Sequence, residues 1–217
     1  MMRQKPVFII NCKAYENATG AALVTLAKEL AEAAAIKGVK LVLCVPATEI
    51  RAVCAAVKIP VYAQHVDAFG PGAHTGAITP AMLVSAGAAG TLLNHSEKRV
   101  ADVAGAVAAA KLAGLQVVLC VQDATEVKIY RNLDVQYIAV EPPELIGGEV
   151  SVSTARPELI SASAKHCPDR LLVGAGVKNR SDVEASLTLG AHGVLIASGV
   201  VRAGKPKDAF LELCSGW

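Results

Sequence analysis

The sequence predicts an α/β fold, a single-domain (β/α)8 barrel spanning residues 1–217. Three observations carry that prediction. Eight short, almost wholly apolar runs recur along the chain, and the intervals between them show helical spacing or helix-boundary residues. The core must also be built from Val, Leu, Ile and Ala, because 53% of residues are hydrophobic and only 4% aromatic. Strands that read as continuous apolar runs are buried on both faces, as in a parallel sheet covered by helices. Strand–helix alternation joins parallel strands through right-handed crossovers. Eight such units close naturally into a barrel, and 217 residues lie near that fold's lower limit of about 200.

The predicted strands are 7–11, 41–46, 61–66, 90–94, 116–121, 137–142, 171–175 and 193–197. Each is bounded by residues that suit a switch to helix. In the first interval Leu23, Leu26, Ala27 and Leu30 fall on one helical face, with Lys28 and Glu29 off it. Thr79-Pro80 reads as an N-cap followed by proline at the first helical position. Ser181 and Glu184 have the spacing of a capping box. Gly38, Gly114 and Gly190 fall just after helical segments, where a left-handed C-cap is wanted. No linker or shift in composition divides the chain.

Several function classes are disfavoured. The net charge is +2 with no basic block, so nucleic acid is not an expected partner. Six cysteines at 12, 44, 54, 120, 167 and 214 form no C-x-x-C pair, and several lie in apolar runs. Reduced, buried thiols in a cytoplasmic protein are the expectation. The apolar run 7–10 is too short for a signal peptide. The longest uncharged stretch, 68–96, is broken by glycine and proline and cannot span a membrane as a helix. No histidine pair has metal-ligand spacing, so no metal is expected.

In a parallel α/β barrel, function gathers at the C-terminal ends of the strands. There the sequence places Asn11 and Lys13, then Gln64, His65 and Asp67, then Asn94-His95-Ser96-Glu97. Glu141 follows the sixth run, Gly174-Ala175-Gly176 ends the seventh, and Ala197-Ser198-Gly199 ends the eighth. Singly, each has a plain structural explanation. Together they bring a lysine, a histidine, a carboxylate and two glycine-containing turns to one rim. Backbone amides after the last two strands of such barrels often bind phosphate.

Five of these segments resemble the triosephosphate isomerase family. They are Val-Phe-Ile-Ile-Asn11-Cys-Lys13-Ala-Tyr, Leu-Leu-Asn94-His95-Ser96-Glu97-Lys-Arg99, Ala-Val-Glu141-Pro-Pro-Glu-Leu-Ile146-Gly147-Gly148, Gly174-Ala-Gly176-Val and Leu-Ile-Ala197-Ser198-Gly199-Val. They occur in the family's order, from residue 7 to about 204, and the short chain resembles the archaeal branch. Cys12 and Gly148 depart from the usual pattern, though neither has an assigned chemical role.

The resemblance implies a TIM barrel that interconverts glyceraldehyde 3-phosphate and dihydroxyacetone phosphate, in glycolysis and gluconeogenesis, without a cofactor. Glu141 would be the base, His95 the electrophile and Lys13 the electrostatic stabiliser. Asn11, Lys13, Ile146, Gly176, Ala197 and Ser198 would bind substrate, under a lid formed by 142–148. Ser96-Glu97 could begin a short helix whose dipole keeps His95 neutral. Glu97 is open to two readings, a partner of Lys13 or a solvated carboxylate. His65 reads as structural or as a subunit contact.

The resemblance also implies a cytoplasmic homo-oligomer, a tetramer favoured over a dimer. Apolar positions 103–110 could serve that assembly or the core. Another phosphate-binding barrel would share the last two loops but not Asn11, Lys13, His95 and Glu141 together. A Schiff-base aldolase lacks its lysine after the fifth or sixth run, and a barrel that had lost its chemistry would lack the base or the electrophile.

Overall fold

In the computed structural model, which describes residues 5–217, eight parallel strands pair in sequence order and β1 closes on β8. The strands are β1 (Val7–Asn11), β2 (Lys40–Val45), β3 (Val61–Ala63), β4 (Gly90–Leu93), β5 (Gln116–Val121), β6 (Tyr137–Val140), β7 (Leu171–Val173) and β8 (Gly193–Ile196). Helices fill the intervals: α1 (Gly20–Lys37), α2 (Ile50–Ala56), α3 (Pro80–Ala86), α4 (Val103–Leu112) and α5 (Ala124–Tyr130). After β6 come α6 (Val152–Ala155) and α7 (Pro157–His166), then α8 (Arg180–Thr188) after β7. The chain ends with α9 (Ser198–Val201) and α10 (Pro206–Leu213). This is the (β/α)8 barrel that the alternation predicts.

Alternate strand residues explain why the runs are unbroken apolar. One set, including Val7, Ile9, Val42, Leu92, Val118, Leu172 and Leu195, packs inside the barrel. The other, including Phe8, Ile10, Leu41, Leu43 and Val117, packs outward under the helices. Both sets are out of water, so neither face selects polar residues. The register places Ile9 level with Val42 on one side and Leu195 on the other.

The helices grip this outer layer through one stripe each. In α1, Leu23, Leu26, Ala27, Leu30, Ala33 and Ala34 are buried, a spacing of three and four residues. The helix stops at Gly38, in a left-handed conformation with φ 60°, whose amide returns to Ala34 and Ala35. Val103, Ala106, Val107 and Ala110 of α4 are buried, so that apolar face belongs to the core. Phe8 meets Phe210 of α10 edge-on at 5.4 Å, fixing the last helix under β1. No helix among the described residues is long and apolar enough to cross a membrane.

Three local expectations are corrected. Six of the eight strands differ from the apolar runs at a boundary; β3, for instance, ends at Ala63, because the following residues turn out of the ladder toward the mouth. The capping box of α8 is formed by Asn179 and Asp182, two residues before the predicted pair. No helix begins at Ser96-Glu97; a single turn closes there, with Lys98 N–H donating to His95 O at 2.8 Å. By contrast Thr79 caps α3 as read, accepting from Met82 N–H, with Pro80 first in the helix.

Candidate active site

Asn11, at the last position of β1, is buried, and its Oδ1 accepts from the Lys13 amide at 3.0 Å. That bond holds Lys13 in a left-handed conformation, φ 49°. Gln64, just past β3, donates from one amide nitrogen to Lys13 O at 3.0 Å and to Asn11 Oδ1 and Cys44 O at 3.3 Å. The turn is thereby over-determined, and the Lys13 ammonium points into the mouth, 2.6 Å from Glu97 Oε1. Of the two readings of Glu97, the structure selects the ion pair.

His95 follows Asn94, which is buried and itself left-handed at φ 64°. Asn94 donates to Cys120 O at 3.0 Å and accepts from Val100 N–H at 3.2 Å, binding the end of β4 to β5. The Glu97 amide donates to His95 Nδ1 at 3.1 Å. A ring nitrogen that accepts from an N–H carries no proton, so the neutral ring bears its proton on Nε2. Burial lowers the pKa of His95, the Lys13 charge lowers it further, and Glu97 opposes them. A backbone amide and burial do the work expected of a helix dipole.

Glu141 stands one residue past β6, its own amide bonded to Val121 O at 2.8 Å. Its carboxyl is buried; desolvation pushes its pKa up to about 7, against the lowering pull of the Cys120 thiol and of Lys13. Oε2 has no hydrogen-bond partner among the described residues and lies 3.7 Å from His95 Nε2. That gap is too long for a direct bond, leaving a donor and an acceptor both open to a third molecule. Gly174 makes the room: a β-carbon there would lie 2.5 Å from Glu141 Oε1.

One cavity joins these groups to the ends of β7 and β8. Asn11, Lys13, His95, Glu141, Ile146, Gly176, Ala197 and Ser198 all line it, every residue the sequence places in the site. Gly176 is left-handed at φ 71°, and a β-carbon there would strike Val150 O at 2.2 Å. The amides of Gly176, Ala197, Ser198 and Gly199 donate to no group among the described residues. Those of Ser198 and Gly199 are unsatisfied because they open α9.

Ile146 differs in detail, since its N–H is turned back to Pro143 O at 3.2 Å in the 3-10 turn Pro143–Leu145. The unbonded amide beside it belongs to Gly147, left-handed at φ 72°. Beyond its place in the lid, sequence reasoning gave no role to Gly147, and it gave none to Gln64 or Cys120. Only the polar residue straight after β3 hinted at Gln64, and nothing in the chain's linear order links it to Lys13.

Within the chain, His65 forms a local clasp. Its Nε2 lies 3.0 Å from Asp67 Oδ1, and Asp67 closes the base of the loop by accepting from Ile78 N–H at 2.7 Å. Five of the six cysteines are buried, Cys54 is half-buried, and all are free.

A closed parallel barrel with a buried carboxyl of raised pKa, a neutral histidine and idle amides at its C-terminal mouth defines the class: a (β/α)8-barrel enzyme. Residues 6–216 match the family model described as Triosephosphate isomerase. The triosephosphate isomerase of Methanopyrus kandleri is 44% identical, over 100% of this chain and 99% of its own. That of Cenarchaeum symbiosum is 42% identical, over 98% of each chain. In fold, the chain is similar to the crystal structure of triosephosphate isomerase from Bartonella henselae, with a TM-score of 0.71 at 24% identity, over 97% and 98% of the two chains. This chain belongs to the triosephosphate isomerase family.

Proposed function

We propose that the chain interconverts D-glyceraldehyde 3-phosphate and dihydroxyacetone phosphate through an enediolate, the aldose–ketose isomerisation of glycolysis and gluconeogenesis. The observation that carries the reading is the pairing of an unpartnered Glu141 carboxylate oxygen with His95 Nε2–H, 3.7 Å apart across the cavity. Glu141 takes a proton from the carbon beside the carbonyl and returns it to the neighbouring carbon. His95 donates from Nε2 to the substrate oxygens as negative charge moves between them. Lys13, held by Asn11 and Gln64, stabilises that charge where it develops.

The amides of Gly147, Gly176, Ala197 and Ser198 surround the phosphate, with Ile146 at the rim. Residues 142–148 act as a lid that excludes water, because an exposed enediolate loses its phosphate by elimination. No cofactor enters the scheme.

The test is a coupled assay with glyceraldehyde 3-phosphate and no added metal or cofactor, run beside Glu141→Gln. Wild type should form dihydroxyacetone phosphate, and the variant should turn over roughly 10²–10⁴-fold more slowly. Turnover within a few-fold of wild type would remove Glu141 from the mechanism.

We further read residues 1–217 as one functional unit, a cytoplasmic homo-oligomer with a tetramer favoured over a dimer. The family resemblance supports that reading, and light scattering tests it; a monomer would contradict it.

A further inference from the structure

The mouth of the barrel holds a second cation that the scheme above leaves unused. Lys178, two residues past Gly176, lines the same cavity as Gly176, Ala197 and Ser198. Its side chain is one-third exposed, and its ammonium lies 2.6 Å from Glu149 Oε2. Glu149 directly follows Gly147-Gly148 in the loop after β6; its side chain is 91% exposed, and this is its one side-chain hydrogen bond among the described residues.

The charges around the cavity make this cation matter. Lys13 is already matched by Glu97 at 2.6 Å, and Glu141 adds a second carboxylate. Without Lys178 a phosphate dianion would enter a cavity lined by one cation, Lys13, already paired with Glu97, and one carboxylate, Glu141, aided only by the partial charges of amides. The loop that would fold over the dianion carries a further carboxylate, Glu149, whose approach is unfavourable unless a cation stands between them. Lys178, which lines the cavity and holds Glu149, is the cation available for that place, and its partner makes no other side-chain hydrogen bond among the described residues.

We infer that Lys178 is a substrate-binding residue whose ammonium turns from Glu149 to the phosphate dianion when the cradle fills. This rests on the phosphate-binding reading of the site. Glu149 then acts as a competing anion, so the two members of one ion pair have opposite effects on affinity. A purely structural tie between the loops would give both the same sign.

The experiment is calorimetric titration of the full chain with inorganic phosphate, at low salt and at a pH above the second pKa of phosphate so that it is a dianion, for wild type, Lys178→Met, Lys178→Arg and Glu149→Gln. Lys178→Met should weaken binding about tenfold, the worth of one charge-assisted hydrogen bond. Lys178→Arg should restore most of that loss. Glu149→Gln should tighten binding about threefold, a gain that added salt erases.

Unchanged affinity in Lys178→Met overturns the inference. So does weakening by Glu149→Gln, which would make the pair a structural tie. Should Lys178→Met fail to fold, the sign of the Glu149→Gln effect decides alone, at a side chain that packs against nothing else. Wild type that binds phosphate but turns over no triose phosphate sinks the proposed reaction and leaves this inference standing. Full turnover beside an unchanged Lys178→Met affinity does the reverse; a wild type that binds no phosphate overturns the inference, and turnover alone then decides the reaction.

Discussion

Burial holds the Glu141 carboxyl near pKa 7, against an ordinary 4.5, because its charged form has lost most of its water. The same desolvation lowers His95, which must lose a bond from the Glu97 amide before Nδ1 can take a proton. One environment therefore drives the carboxylate toward basicity and the imidazole toward neutrality. The kinetic consequence has a definite sign. The base must be ionised in the free enzyme, so kcat/KM should fall tenfold per pH unit below about pH 7 and level off above it, while His95 stays neutral across the plateau. A pH–rate profile checks this. An acid limb near 4.5, the ordinary value, would mean that Glu141 is solvated in the working enzyme or is not the base.

At the scale of elements, the strands end where the chemistry begins. β6 stops one residue before Glu141, and β7 stops immediately before Gly174. The two meet because a glycine faces the carboxylate: a β-carbon at 174 would lie 2.5 Å from Glu141 Oε1 and 2.6 Å from its Cγ. Gly174→Ala should therefore displace the carboxylate by on the order of 1 Å and lower kcat about 100-fold, with the barrel intact. Steady-state kinetics beside a crystal structure of the variant checks this; unchanged kcat would mean that the Glu141 conformation seen here is not the working one.

These elements also show what can be read from linear order. Thr79-Pro80 was legible because a cap depends on neighbours three residues away. At α8 two overlapping cap signals compete, and Asn179 with Asp182 wins because Asp182 also accepts from the Lys178 and Asn179 amides. Gln64 was not legible as a support, since its contacts with Lys13 and Cys44 exist only once β1, β2 and β3 lie side by side. The unbonded amide of Gly147 likewise depends on how the turn before it closes.

For the whole molecule, the barrel gathers its uncompensated polar groups at one end. Among the described residues three buried side-chain atoms lack partners, and two of them, Glu141 Oε2 and His65 Nδ1, belong to residues at the C-terminal mouth. The Glu141 carboxylate opposes folding whenever it is ionised, and the sign follows from its two pKa values. Below about pH 4.5 it is protonated folded or unfolded, and burial carries no ionic cost. Between 4.5 and about 7 the unfolded chain releases the proton first, so stability falls as pH rises. Above about 7 the loss is complete, of order 3 kcal/mol for a shift of this size. Glu141→Gln removes the titration while keeping the shape of the side chain. Its stability relative to wild type should therefore rise between pH 4.5 and 7 and stay level beyond, in the pH range where its activity loss is measured. Urea unfolding of both proteins at several pH values, at one fixed protein concentration because assembly contributes to stability, decides the matter. A difference that does not change with pH would place the Glu141 carboxylate in water in the folded chain, and the base would then need another source of its reactivity.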